Sequence, residues 1–155
     1  MCIRDSSEAV LEAKLIAQLQ TLLTELGTGF SFVAQQKRII TPAGNTYIID
    51  LVFYHFVKKC FVLVDLKTKP LSHQDLGQMD LYIRLYDAKW KSLDDQPTMG
   101  VLLCPDISPD FKEYSMLKGN HQLFASTYQL KMPTTGNRNM KSNLDWFQRI
   151  LNGKI

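Results

Sequence analysis

Two apolar runs, each interrupted by an acid, constrain this chain more than any other feature. Ile48-Ile49-Asp50-Leu51-Val52-Phe53-Tyr54 carries one carboxylate, and Phe61-Val62-Leu63-Val64-Asp65-Leu66-Lys67 carries a second with a lysine two places on. Ionised carboxylates are expensive inside apolar strands unless they are paired or bind a cation. A shared divalent cation is the simplest reason for two of them in neighbouring strands. Residues two apart on a strand point to one face, so Asp65 and Lys67 project together. A two-residue, hairpin-like link at Lys58-Lys59 lets Asp50 lie beside them.

The chain's 155 residues fit one compact domain, and a hydrophobic content of 45% is ample for a single core, with no run long enough to span a bilayer. The formal charge of +3 is unevenly spread. Residues 131–155 hold five Lys or Arg against one acid, which leaves thirteen against fourteen in residues 1–130. The basic C-terminal segment, with Arg138, Lys141, Arg149 and Lys154, suits nucleic-acid phosphate through counterion release, and equally suits a solvated tail and surface helix. Cys2, Cys60 and Cys104 lack the close pairing of zinc sites, and Cys60 and Cys104 sit in apolar runs, so they read as reduced and structural. No secretory leader opens the chain, making a cytoplasmic location the default expectation. Residues 1–6 show no periodicity and read as a non-native leader, with the natural protein beginning further upstream.

From Ser7 to Leu26 the apolar residues follow helical spacing, with Gly27 and Gly29 as stops. Phe30 to Ile40 and Thr46 to Val57 read as two antiparallel strands around a Pro42-Ala43-Gly44-Asn45 turn. Cys60 to Leu66 is apolar almost throughout, as expected of a central strand buried on both faces. Ser72 precedes a second helix rich in apolar residues, and Asp94-Asp95-Gln96-Pro97 closes that region. Thr98 to Cys104 is a further buried strand, Pro109 to Leu117 a short helix opened by Ser108, and Leu123 to Leu130 a last strand. Met132 to Asn143 reads as a linker and Leu144 to Leu151 as a short helix. The spacing therefore predicts one domain over 7–130, then a linker and short basic helix over 131–155.

Phosphodiester hydrolysis needs an activated water and neutralisation of the charge on a pentacoordinate phosphate. A Mg²⁺ held by Asp50 and Asp65 supplies both, and Lys67 would orient or deprotonate the water or stabilise the transition state. The strand acid followed by acid-x-Lys on the next strand, within an α-β-β-β-α-β order, resembles the PD-(D/E)XK nuclease superfamily. Glu25 to Val33, Ile49 to His55, Asp65-Leu66-Lys67, Gly77-Gln78-Met79 with Tyr82, and Gly100 to Cys104 resemble, more closely, the nuclease domain of the bacterial YhcG-like family.

That resemblance implies an α/β, restriction-endonuclease-like core: a central mixed sheet flanked by helices. It also implies a Mg²⁺-dependent DNA endonuclease, with Mn²⁺ as a substitute, related to enzymes that cut branched, Holliday-junction-like DNA. Carried over residue by residue, it makes Glu25, Asp50, Asp65 and Lys67 the site, with Glu25, Asp50 and Asp65 as metal ligands. Gln78 corresponds to a glutamine that leans over the lysine and the scissile phosphate, and helical geometry puts Tyr82 on the same face. Gln36 also matches the family and would hydrogen-bond DNA or brace Asp50, while Lys69 joins Gln36 and Tyr82 as a DNA-binding candidate. Asp65 stands where this family usually has Glu, which keeps the charge and shortens the reach.

The alternative is a catalytically silent domain that binds DNA structure or a partner. The superfamily often acts as homodimers, and, if the natural protein begins further upstream, the resemblance implies that the family's usual N-terminal helical region is missing from this chain. His55, His73 and His121 show no ligand spacing and read as structural. No Gly-rich phosphate loop, Gly-x-Ser-x-Gly elbow or Cys-x-x-Cys pair appears, which argues against a nucleotide triphosphatase, a serine hydrolase and a zinc enzyme.

Overall fold

The computed structural model describes residues 29–127, together with Ala13 and Ala17. The helix expected over 7–26 lies outside the described residues except for those two alanines, which are helical. Glu25, Cys2 and the linker and helix expected over 131–155 also lie outside them.

Five strands form one sheet in the order β1-β2-β3-β4-β5. β1 (Phe30–Ile40), β2 (Thr46–His55) and β3 (Cys60–Leu66) make an antiparallel meander, and β4 (Met99–Cys104) and β5 (Leu123–Thr127) add in parallel. The sheet is thus mixed, as expected. Parallel strands need a crossover. The helix α1 (His73–Lys89) supplies the one from β3 to β4, and the short α2 (Pro109–Tyr114) lies between β4 and β5.

β3 sits mid-sheet, and six of its seven residues are buried, which accounts for its near-continuous apolar sequence. Ile49, Val52, Leu63, Leu102 and Cys104 of the sheet pack with Leu76, Met79, Tyr82, Ile83 and Tyr86 of α1. Gly100 marks the closest approach. A Cβ there would lie 2.7 Å from the Met79 side chain and 2.8 Å from that of Ile83, so glycine lets α1 settle onto β4.

α1 starts where its sequence says it should. The Ser72 hydroxyl accepts from the Asp75 amide at 3.2 Å, and the Ser72 amide donates back to the Asp75 carboxylate at 3.0 Å, a complete capping box. Ser108 likewise caps α2, which ends at Tyr114 rather than Leu117.

One link differs from expectation. β2 ends at His55, two residues before Val57, and a four-residue turn over Phe56–Lys59 replaces the tight Lys58-Lys59 link. Lys59 takes a positive φ of 55°, and the Lys58 amide donates to His55 Nδ1 at 3.0 Å. Buried His55 is a structural histidine, packed edge-on against Phe30 at 4.8 Å and against Gly29, where a Cβ would come within 2.7 Å of the imidazole. Cys60 and Cys104 are free and buried. Among the described residues, no helix is long and apolar enough to cross a membrane.

Candidate active site

The ladder between β2 and β3 runs regularly from His55 opposite Cys60 to Leu51 opposite Val64. One step further, side chains take over from the backbone. The Asp50 amide donates to Asp65 Oδ1 at 3.0 Å, and the Leu66 amide donates to Asp50 Oδ2 at 2.8 Å. Each carboxylate is pinned by the strand that carries the other.

This is also where the chain changes faces. Before Asp50, Tyr47 and Ile49 face α1, with Tyr47 against Tyr82 at 5.8 Å. After it, Val52 lies in the same core, and Tyr54 reaches α1 through Phe61 and Tyr86. Strict alternation cannot give both, so the residues that β2 packs in this core change parity between Ile49 and Val52, while its register with β1 runs on unbroken from Gln35 opposite Leu51 to Lys37 opposite Ile49. In β1, Ile39 belongs to the same core cluster and Ala34 packs against it although the two are an odd number of residues apart. Gln36 lies between them in the left-handed region, with φ at +51°, and its Nε2 donates to Asp50 Oδ1 at 3.1 Å. The strain of a left-handed non-glycine residue inside a strand thus sits opposite the acid that it braces.

Asp65 is only 5% exposed, whereas Asp50 is half-buried. Burial, and then the neighbouring Asp50 charge, raise the Asp65 carboxyl to about 7, against the pull of Lys67 and of the Asp50 amide. Lys67 Nζ lies 3.4 Å from Asp65 and 3.8 Å from Asp75. Lys67 stands one residue beyond the end of β3 rather than within it, but its amide continues the sheet pattern by donating to the Leu103 carbonyl at 2.7 Å. Two like charges held together at a half-buried site fit a hard divalent cation. Mg²⁺ in particular is usually held by one or two carboxylates, with water and phosphate completing its shell. Among the described residues, no group of three or more His, Cys, Asp or Glu side chains is placed to hold a metal ion.

The remaining candidates fall in different places. Gln78 is half-buried on α1 and contacts the Tyr82 hydroxyl, one turn on. Tyr82, the other candidate on α1, is 2% exposed and packs into the core. Burial first, then the Asp65 and Asp50 charges, push its hydroxyl pKa far up. Lys69 is exposed, between β3 and α1. Sequence reasoning missed Asp75, although Ser72-x-x-Asp75 just before an apolar run is itself a capping-box signal.

The YhcG PDDEXK nuclease domain family matches residues 2–145 of the chain. The chain belongs to that family. The match also accords with a protein of Escherichia coli (strain K12) named "Putative nuclease YhcG", which is 32% identical over 127 residues, 82% of this chain and 34% of that protein. The chain therefore spans about a third of the length of this curated relative. Among solved structures, a repair endonuclease from Pyrococcus abyssi superimposes with a TM-score of 0.52 at 20% identity, covering 84% of this chain and 50% of that one. EndoMS in a complex with double-stranded DNA gives 0.52 at 17% identity, over 75% of this chain and 45% of its own. At such identities the likeness is one of fold, and it gives this YhcG-family domain the restriction-endonuclease-like architecture.

Proposed function

We propose that this domain is a metal-dependent DNA endonuclease whose centre is Asp50, Asp65 and Lys67. The observation that carries the reading is the reciprocal pinning of the two carboxylates by each other's strands, with the Lys67 ammonium beside the more buried one. Membership of a nuclease-domain family supports it. So does the double-stranded DNA in the structure of EndoMS, a protein of like fold.

A divalent cation, Mg²⁺ or in its place Mn²⁺, would be held by Asp50 and Asp65, with Glu25 as a third ligand. When bound it would polarise the phosphodiester and lower the pKa of a coordinated water. Gln36 fixes the rotamer of Asp50, so that one carboxylate oxygen is held by a side chain and the other by a backbone amide. Lys67 brings a positive charge to the edge of the site, where it can orient the attacking water and offset charge building on the phosphate. Gln78 supplies a polar group on the α1 side, and Lys69 a phosphate contact. Free, buried Cys60 and Cys104 are consistent with a reducing, cytoplasmic setting. Branched DNA as substrate, pairing with a second copy, and work within a longer protein belong to the same proposal.

The test is cleavage of labelled linear duplex, single-stranded and four-way-junction DNA in Mg²⁺ or Mn²⁺, with EDTA as control, by wild type and Lys67→Ala. Metal-dependent cutting that is lost in the variant supports the reading, and the preferred substrate identifies the DNA shape. Junction binding with no cutting under either metal would replace it with a silent binding domain.

A further inference from the structure

Lys67 reaches the site with a long side chain from the end of β3. Strand hydrogen bonds hold Asp50 and Asp65, whereas Lys67 is the first residue past β3 and its ammonium sits at the end of four rotatable bonds, with its side chain 24% exposed. Holding a lysine in one geometry opposes the rotamer entropy of its long side chain. Asp65 lies nearest, but it is also half of the carboxylate pair. A cation held by that pair would compete with Lys67 for Asp65 Oδ2. A second carboxylate near Lys67 is that of Asp75, at 3.8 Å.

Asp75 is anchored independently of the carboxylate pair. Its Oδ2 accepts the Ser72 amide at 3.0 Å, and its own amide is capped by the Ser72 hydroxyl, which locks it into the first turn of a 17-residue helix. The oxygen facing Lys67 is the other one, Oδ1. One carboxylate thus bridges the helix start and the lysine.

We infer that Asp75 is a positioning residue, holding Lys67 at the reacting phosphate through its free carboxylate oxygen while its other oxygen caps α1. This rests on the nuclease reading above. Asparagine at 75 separates the two duties, because its amide oxygen can still accept from Ser72 while its NH₂ faces the ammonium with no charge to attract it. Glutamate keeps both, since Glu is a preferred third residue of a capping box. Ser72→Ala removes the hydroxyl half of the cap and keeps the carboxylate.

The experiment measures kcat and KM for Mg²⁺-dependent DNA cleavage, together with the Tm, for wild type, Asp75→Asn, Asp75→Glu and Ser72→Ala. The expected result is a kcat loss of about tenfold to a hundredfold in Asp75→Asn with little change in KM or Tm, recovered to within severalfold by Asp75→Glu. Ser72→Ala lowers Tm and leaves kcat within about twofold. If wild type cuts and Asp75→Asn cuts equally well, the inference fails and the nuclease reading stands. If Asp75→Asn and Ser72→Ala lose Tm and kcat in parallel, Asp75 is only a cap and the inference again fails alone. If wild type cuts no DNA with any metal, both fall together.

Discussion

Asp50 and Asp65 each accept a backbone amide from the strand that carries the other, at 3.0 Å from the Asp50 N–H and 2.8 Å from the Leu66 N–H. A regular ladder would have used carbonyl oxygens at this step. Substituting carboxylates here brings two negative charges together where burial makes both costly. The fold tolerates this local cost at the place where a cation would offset it.

Asp65→Asn should therefore stabilise the metal-free protein while removing its response to metal. An amide oxygen can still accept the Asp50 amide, and the repulsion between the acids is gone. Without metal, at pH 8, the variant should unfold about 1–2 kcal/mol later in urea than wild type, in line with the relief of a buried like-charge pair. Mn²⁺ should raise the Tm of wild type and not that of the variant. Lower stability of the variant would mean that Asp65 is held by favourable interactions rather than against repulsion.

The pH dependence follows from the same group. With its carboxyl raised to about 7 in the folded protein, against about 3.9 in an unfolded chain, Asp65 binds more proton folded than unfolded between those values. Its contribution then falls as pH rises through the window, being fully favourable below about pH 4 and lost above about pH 7. Metal-free wild type should lose stability from pH 5 to pH 8 relative to Asp65→Asn, and Mg²⁺ at pH 8 should restore it. Urea titrations of both proteins at the two pH values measure the difference, and parallel pH profiles would contradict it.

Gln36 carries two opposed effects that substitution separates. Its left-handed backbone is strained for any residue with a Cβ, and its amide braces Asp50. Gln36→Gly should be more stable than Gln36→Ala by roughly 1 kcal/mol in chemical denaturation. Both should cut DNA about tenfold more slowly than wild type, because Asp50 loses one of its two supports. Wild-type cleavage rates in both variants would show that the amide anchor alone suffices.

Cys60 and Cys104 should behave as inert hydrophobes. Burial first, and then nearby Asp95, raises the Cys60 thiol to about 11, and burial likewise raises the Cys104 thiol to about 11. Neither should form appreciable thiolate at pH 8. Peptide mapping after iodoacetamide treatment should find both unmodified in the native protein and modified in guanidinium; rapid native labelling of either would contradict the burial argument.

What was legible in the sequence was whatever depends on local pattern. The apolar run Cys60–Leu66 announced a central strand, Ser72 announced a helix start, and acid-x-Lys at the end of that strand pointed to the family. The placement of Asp50 beside Asp65 followed from antiparallel pairing, although through a longer turn than expected. What the pattern could not carry was non-local. Helical spacing put Gln78 and Tyr82 on one face, but only the packing of α1 on the sheet decides that Tyr82 is enclosed against Tyr47 while Gln78 stays partly open. No residue type signals a left-handed glutamine in a strand, and its contact with Asp50 joins residues fourteen apart in the chain. Asp75 was readable as a cap, but its second contact, to Lys67, exists only once β3 and α1 are folded together.

The most direct test of the central claim is single-turnover cleavage of DNA in Mg²⁺ by wild type and Asp50→Asn, an almost isosteric change that keeps an oxygen for the Leu66 amide and removes the charge. The carboxylate pair predicts metal-dependent cutting by wild type and a loss of at least about 10²-fold in the variant, with folding and DNA affinity retained. Equal cleavage by the two proteins would contradict the account, because the site would then work without the charge around which its strands are built.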